Sequence, residues 1–194
     1  MSFCRPIDTK GRLIILIGMM GCGKTTVGKE LSRLTGIPMM DMDTIIEEQI
    51  GKSIPEIFQE SGEAHFRALE TALLRYVESS PPFSTSSFII STGGGVVLSP
   101  VNRSILRRLG FVVWLDASAE VIVERTSRSN NRPLLRTEDR LQVIQNLADK
   151  RRNLYQETAH LRIETSGLDV LPVVDVLHAA ASEFFANPES ASIS

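Results

Sequence analysis

Short apolar runs alternate along the chain with longer segments in which apolar residues recur every three or four positions. The short runs predict β-strands at residues 13–17, 38–41, 88–91, 111–115 and 161–164. The three-to-four spacing predicts helices at residues 24–34, 63–78, 101–109, 119–128, 140–155 and 170–185. Strands that alternate with helices are typical of an α/β fold built on a parallel sheet.

The segments outside this pattern set the expected domain limits. Residues 79–87 contain two prolines and five serines and predict a loop, while residues 187–194 have too few apolar side chains to order themselves. We therefore expect a flexible N-terminus over residues 1–10, one domain over 11–186 and a disordered tail over 187–194.

Composition narrows the classes of partner. The chain has 194 residues, of which 42% are hydrophobic and 23% charged, and its formal net charge is −2. This near balance argues against nucleic acid or an anionic membrane as a partner. Only Cys4 and Cys22 are cysteines, and no histidine and cysteine cluster has zinc-ligand spacing. We expect a cytoplasmic protein, working as a monomer on small molecules.

The apolar run near the N-terminus has a second interpretation. Lys10 and Arg12 precede it and Gly21-Cys22-Gly23 follows it, so residues 10–23 imitate a signal peptide. Cleavage there would destroy the phosphate-binding motif that overlaps the run. We therefore favour the strand.

That motif is Gly18-Met-Met-Gly21-Cys22-Gly23-Lys24-Thr25, which matches G-x-x-x-x-G-K-[ST] between a predicted strand and a predicted helix. Its glycines let backbone N–H groups surround phosphate oxygens at a helix N-terminus. Lys24 is expected to reach the β- and γ-phosphates, and Thr25 to bind Mg²⁺. The sequence thus predicts a nucleoside triphosphate site.

Acidic residues near the ends of other strands are candidates for the remaining chemistry. No Asn-Lys-x-Asp motif reads guanine, and we interpret Asp116, just before a helix, as a cap. Asp41 and Asp43 end the second strand and point to the same side, so one carboxylate can assist Mg²⁺ while the other deprotonates a hydroxyl. The alternative for Asp43 is an N-cap of the next helix.

Arginines and glycines complete the candidate set. Arg67 and Glu70 share a helical face, as a functional pair or as an ordinary surface ion pair. Gly93-Gly94-Gly95 follows the third strand and permits close approach of a ligand to backbone. Arg132 lies in a polar flap, residues 130–136, from which it can cover a transferred phosphoryl group. Arg151 and Arg152 are further candidates for binding an anionic substrate, or are solvated surface charges.

Together these motifs resemble the shikimate kinase family, a branch of the nucleoside-monophosphate-kinase-like P-loop enzymes. The matching segments follow the family's order and cover most of residues 11–180. They are the phosphate loop at 18–25, Asp41-x-Asp43, Gly62-Glu63 with Phe66-Arg67-x-x-Glu70, Gly93-Gly94-Gly95, Arg132-Pro133-Leu134-Leu135, and Arg151 through Leu154-Tyr155 to Ala159. The departures, Asn153, Cys22 and the long 79–87 connection, remove no group that the chemistry needs.

The resemblance implies a three-layer α/β/α P-loop kinase fold with a five-stranded parallel sheet of order 2-3-1-4-5. It places substrate-binding helices at about 42–79 and a lid at about 129–138. The implied reaction is Mg²⁺-dependent transfer of the ATP γ-phosphoryl group to the 3-hydroxyl of shikimate, a step in chorismate and aromatic amino acid biosynthesis.

The resemblance also assigns roles to residues. Lys24, Asp43 and Arg132 are the implied catalytic residues, with Asp43 as the base, and Thr25 and Asp41 are the implied Mg²⁺ site. The implied ATP contacts are Gly18, Gly21, Cys22, Gly23, Lys24, Thr25, Thr26, Arg125 and Arg132, with Arg125 packing on adenine. The implied shikimate contacts are Asp43, Arg67, Gly93, Gly94, Gly95 and Arg151.

Two other functions remain open at this stage. One is another kinase on the same scaffold, acting on gluconate or a nucleotide, which should carry a different acceptor pattern. The other is an inactive nucleotide-binding regulatory protein, which loss of Lys24, Asp43 or Arg132 would signal. All three residues are present.

Overall fold

A computed structural model of the chain describes residues 5–80, 83, 86–127 and 139–187. Five parallel strands form one sheet in the order β2-β3-β1-β4-β5. The strands are β1 Leu13–Ile17, β2 Met39–Asp41, β3 Ile89–Ser91, β4 Gly110–Asp116 and β5 Leu161–Glu164. The order is the one that the resemblance implies.

Seven α-helices lie within the described residues. They are α1 Lys24–Thr35, α2 Met42–Ile50, α3 Ile54–Ser79, α4 Pro100–Leu109, α5 Ala119–Thr126, α6 Arg140–Thr158 and α7 Val170–Ala186, with a short 3₁₀ helix at Val96–Leu98. Helix α1 packs against α7, and α4 packs against both α3 and α6. No helix in this part of the chain is long and apolar enough to cross a membrane.

The centre of the sheet is its most buried part. Every residue of β1 and of β4 is buried, which a strand covered by helices on both faces requires. The edge strand β5 alternates, with Ile163 buried and Arg162 and Glu164 exposed. The all-parallel α/β/α arrangement therefore follows from the uniformly apolar central strands.

Helix α3 begins nine residues earlier than the sequence spacing predicted. Ser53 and Glu56 form a capping box at its start, in which the Glu56 carboxylate accepts hydrogen bonds from the Ser53 backbone at 2.7 Å and hydroxyl at 2.6 Å. Gly62, at φ 80°, interrupts the helix. This break divides the apolar periodicity and explains why only the second half was predicted.

The cap predicted at Asp116 is wrong, and so is the capping alternative that the sequence left open for Asp43. Asp41, not Asp43, caps α2, since its carboxylate accepts a hydrogen bond from the Asp43 backbone N at 3.1 Å. Ser118 caps α5, whereas Asp116 is the last residue of β4 and binds the Arg162 guanidinium at 2.7 Å. Arg162 stands on the neighbouring strand β5, so Asp116 pairs with it across the sheet and does not cap a helix.

His160 lies at the opposite end of the sheet from these carboxylates. Its Nδ1 accepts a hydrogen bond from the Val112 backbone N at 3.0 Å, and its ring packs against Phe111 and Phe184. Burial, with the nearby charges of Arg107 and Arg12, lowers the pKa of His160 to about 4. The folded protein therefore holds this ring neutral at pH values where the unfolded chain protonates it.

We expect His160 to make stability fall as the pH drops from about 6.5 towards 4, because the unfolded chain then binds a proton that the folded chain excludes. H160N, which keeps an acceptor for Val112, should flatten this dependence in urea unfolding measured across that range. H65N changes an exposed histidine and should follow the wild type. Parallel losses of stability in wild type and H160N would contradict the assignment.

Candidate active site

The loop between β1 and α1 has the shape of a phosphate-binding loop. Lys24 is buried, and its Nζ donates hydrogen bonds to the carbonyl oxygens of Gly18 at 2.8 Å and Met19 at 2.9 Å. Gly18, at φ 141°, packs so closely on β4 that a Cβ would overlap the Leu115 carbonyl oxygen. The loop thus encloses the ammonium group and directs the N-terminus of α1 into the cleft, where an anion is stabilised.

A hydroxyl and a carboxylate meet beside this loop. Thr25 Oγ1 donates a hydrogen bond to Asp41 Oδ2 at 2.8 Å, and Ser91 Oγ lies 3.5 Å from the same hydroxyl. Oxygen ligands of this kind suit Mg²⁺, which commonly takes one or two protein ligands along with substrate phosphates. Thr25 and Asp41 therefore fit the ion that the sequence implies. Across the described ranges, no three histidine, cysteine, aspartate or glutamate side chains cluster as a metal site.

Arg67 and Glu70 form an ion pair in which Glu70 is fully buried and Arg67 is partly buried, not the surface pair that the sequence left open. Arg67 Nη1 donates to Glu70 Oε2 at 2.6 Å, and Nη2 donates to Glu63 at 2.7 Å. Glu70 is fully buried, and its Oε1 has no hydrogen-bond partner in the part of the chain that the structure describes. Burial raises the pKa of Glu70, the Asp43 charge adds to this, and the Arg67 charge opposes it.

The turn after β3 fits closely against this ion pair. A Cβ on Gly93 would lie 2.5 Å from Glu70 Oε1 and 2.8 Å from Asp43 Oδ1. A Cβ on Gly95 would overlap the Arg67 guanidinium. Glycine is needed at both positions because any side chain would displace a charged group. The turn therefore brings Asp43, Glu70 and Arg67 to one place.

Helix α6 contributes a second guanidinium to the same turn. Arg151 is buried, and its Nη1 donates to the Gly94 carbonyl oxygen at 3.2 Å. Tyr155 donates its hydroxyl hydrogen to the same oxygen, and its ring stacks on Trp114 with centroids 5.6 Å apart. Burial raises the pKa of Tyr155, so the phenol remains a donor. Two arginines from different helices thus contact residues 94–95.

A cleft of about 410 Å³ extends from the turn along the phosphate loop. The sequence-predicted residues in its lining are Gly21, Cys22, Gly23, Lys24, Thr25, Thr26, Asp41, Asp43, Gly94 and Arg125. Five other predicted residues do not line the cleft but make the contacts given above: Gly18, Arg67, Gly93, Gly95 and Arg151. The structure therefore groups the predicted residues around one cleft and the turn that closes it.

Sequence reasoning missed the far end of the cleft. Its lining there includes Thr165, Leu168, Asp169, Val170 and Val173, from the segment after β5 and the start of α7. These are ordinary residue types without a motif. Only their place at the carboxyl end of a parallel strand could have suggested a ligand site.

Arg132 and the expected lid at 129–138 lie outside the described residues. Arg152, a candidate for binding an anionic substrate, lies 3.7 Å from Asp116 and is half exposed. It therefore pairs with the end of β4 and not with the turn formed by Gly93-Gly94-Gly95, here called the glycine turn.

Comparison with known proteins gives consistent matches. The model of the family described as shikimate kinase matches residues 20–182. The chain is 42% identical to a shikimate kinase of Geobacter sulfurreducens over 173 residues, which is 89% of this chain and 92% of the relative. It is 44% identical to a shikimate kinase of Microcystis aeruginosa over 82% of this chain and 80% of the relative.

Solved structures extend the comparison. A shikimate kinase from Acinetobacter baumannii in complex with shikimate matches with a TM-score of 0.80 and 37% identity, over 91% of this chain and 94% of that one. A gluconokinase from Sinorhizobium meliloti matches with a TM-score of 0.56 and 16% identity, over 97% of this chain and all of that one. The second likeness shows the fold alone.

The buried pair predicts a measurable asymmetry in stability. R67A leaves the Glu70 carboxylate buried without its cation and should lower the free energy of unfolding by about 2 to 3 kcal/mol. R67L/E70L removes both charges and should recover most of that loss. R33A, which breaks the exposed pair with Glu30, is the matched control and should change little. Urea unfolding measures all three, and equal effects of R67A and R33A would contradict the burial.

Proposed function

The chain belongs to the shikimate kinase family, and from this membership we propose that its cleft transfers the γ-phosphoryl group of ATP to the 3-hydroxyl of shikimate. The products are shikimate 3-phosphate and ADP, on the route to chorismate and the aromatic amino acids. The single observation that carries the proposal is the placement of two arginines, Arg67 and Arg151, on a glycine turn beside the phosphate loop. A carboxylate-bearing alcohol bound there lies next to the triphosphate site.

The arginines bind the acid. Glu70 and Glu63 hold the Arg67 guanidinium from two sides, so its orientation is fixed before the substrate arrives. A planar guanidinium makes two parallel hydrogen bonds to a carboxylate, which sets the direction of the substrate ring. Arg151 is the second cationic partner. Asp43 and the backbone of Gly94 and Gly95 then face the hydroxyl groups.

Asp43 handles the proton. It lies in the first turn of α2 beside the glycine turn and also lines the cleft that holds Lys24. In the proposed step the substrate hydroxyl oxygen forms a bond to the γ-phosphorus, and the bond from that phosphorus to the bridging oxygen of ADP breaks. The hydroxyl proton passes to an Asp43 carboxylate oxygen.

Lys24 and the loop stabilise the transferred charge. The ammonium moves from the Gly18 and Met19 carbonyl oxygens to the phosphate oxygens, where charge develops in the transition state. Thr25 and Asp41 are the proposed holders of Mg²⁺, which when bound neutralises charge on the β- and γ-phosphates. We assign Arg132 the further stabilising role that the family resemblance implies.

Cys22 is a free, buried thiol, and a chain with two cysteines fits a reducing compartment. We therefore propose that the protein works in the cytoplasm. We also propose that it acts as a monomer, with shikimate and ATP as its small-molecule substrates. Light scattering at micromolar concentration tests the oligomeric state directly.

The function is tested by coupled ADP release with shikimate, quinate and gluconate as acceptors. We expect shikimate to support turnover with far higher kcat/KM than the other two. K24A should fold yet lose turnover, because its side chain acts on phosphates and not on the core. Preferred use of gluconate, or unchanged kcat in K24A, would overturn the assignment.

The role of Arg67 predicts a selective loss. R67K should raise KM for shikimate more than about tenfold and leave KM for ATP nearly unchanged, since lysine cannot make the two-point contact. R75K changes an exposed arginine on the same helix and serves as the matched control. Steady-state kinetics with each substrate varied in turn provide the measurement. Equal increases in both KM values would show a general disturbance of the cleft.

A further inference from the structure

A buried threonine connects the two ends of the cleft. Thr165 is 3% exposed, and its Oγ1 lies 3.1 Å from the carbonyl oxygen of Cys22 and 2.9 Å from that of Asp116. Its backbone N also donates to the Asp116 carbonyl oxygen at 2.7 Å. Cys22 belongs to the phosphate loop and Asp116 ends β4. One side chain therefore joins the end of β5 to the phosphate loop and to the neighbouring strand.

The backbone of Thr165 also contacts Arg125 at the far end of the cleft. Arg125 Nη2 on α5 donates to the Thr165 carbonyl oxygen at 3.0 Å, which holds the guanidinium plane beside the segment after β5. That segment continues through Leu168 into α7, where Val173 also lines the cleft. Arg125 and this apolar segment enclose the space farthest from the glycine turn.

A nucleotide must fit both ends at once. Its ribose allows only a limited range of distances between base and phosphates. The far end of the cleft, here called the base end, must therefore lie at a matching distance from the phosphate loop. The Thr165 hydroxyl shares its one hydrogen between the Cys22 and Asp116 carbonyl oxygens, and the Thr165 carbonyl oxygen accepts from Arg125; together these contacts set the distance between the two ends. We propose that Thr165 is a positioning residue that holds the base end of the cleft in register with the phosphate loop.

The phosphate loop itself has other supports. Lys24 Nζ donates to the Gly18 and Met19 carbonyl oxygens, and the Cys22 backbone N donates to Met19 O at 3.3 Å. The Lys24 bonds hold the loop before a phosphate binds, and the backbone bonds from Cys22 N to Met19 O and from Val27 N to Gly23 O remain when the Thr165 hydroxyl is removed. Loss of the hydroxyl should therefore weaken binding of a ligand that spans both ends and spare one that occupies only the phosphate loop.

The experiment compares two such ligands by calorimetric titration without shikimate. A nonhydrolysable ATP analogue spans both ends, whereas inorganic tripolyphosphate has no base. In T165V we expect the Kd of the ATP analogue to rise about fivefold to tenfold, the size expected for a lost buried hydrogen bond, with tripolyphosphate changed less than about twofold. T165S restores the hydroxyl and should bind both ligands like the wild type.

Controls separate positioning from folding. T158V removes another buried threonine hydroxyl, one that donates to the Leu154 carbonyl oxygen in its own helix, and should leave both Kd values unchanged. If T165V does not fold, T165A, in which water can enter beside the carbonyl oxygens, should show the same split between ligands.

The inference rests on the proposed use of ATP, and the outcomes keep the two apart. Unchanged ATP-analogue binding in T165V, or equal weakening of both ligands, would overturn the positioning role and leave the proposed function standing. If the wild-type protein binds the ATP analogue no more tightly than tripolyphosphate, both the positioning role and the proposed function would be contradicted.

Discussion

Burial of the Glu70 carboxylate constrains the residues around the turn at Gly93-Gly94-Gly95. A buried carboxylate needs a cation and hydrogen bonds, and Arg67 supplies both from the preceding turn of the same helix. The guanidinium then needs space, which only a glycine at position 95 leaves. Gly93 gives the same clearance to Glu70 and Asp43. The glycine turn and the ion pair thus pack as one unit that holds the Arg67 guanidinium in place.

Sheet order brings this unit to the phosphate loop. Strands β2, β3 and β1 are neighbours, and their carboxyl ends carry Asp41, the glycine turn and the phosphate loop respectively. Ligands bind at such edges of parallel sheets, where the strand order reverses direction. The fold therefore brings the Arg67 guanidinium, the Asp43 carboxylate and the phosphate loop side by side, although they come from distant segments of the chain.

The sequence points to the segments after β1, β2 and β3 because their residues are chemically unusual. Three consecutive glycines, a glycine-rich loop ending in lysine and paired aspartates each have few structural explanations. The Arg67 and Glu70 spacing predicted the pair but not its burial, since a three-residue spacing is the same on a surface helix. At the far end of the cleft the resemblance predicted Arg125 but not Thr165 or the apolar residues beyond it. These residues carry no motif, and Thr165 is distinguished only by its contacts with Cys22, Asp116 and Arg125. Helix α3 was half missed because a glycine break hides its first part, although the Ser53 and Glu56 spacing was visible.

We propose that the guanidinium groups of Arg67 and Arg151 recognise a carboxylate. Calorimetric titration of the wild-type protein with shikimate and with shikimamide, its uncharged amide, tests this most directly. We expect the amide to bind at least about tenfold more weakly, since it loses the charge-assisted two-point contact. Equal dissociation constants for the two ligands would contradict it.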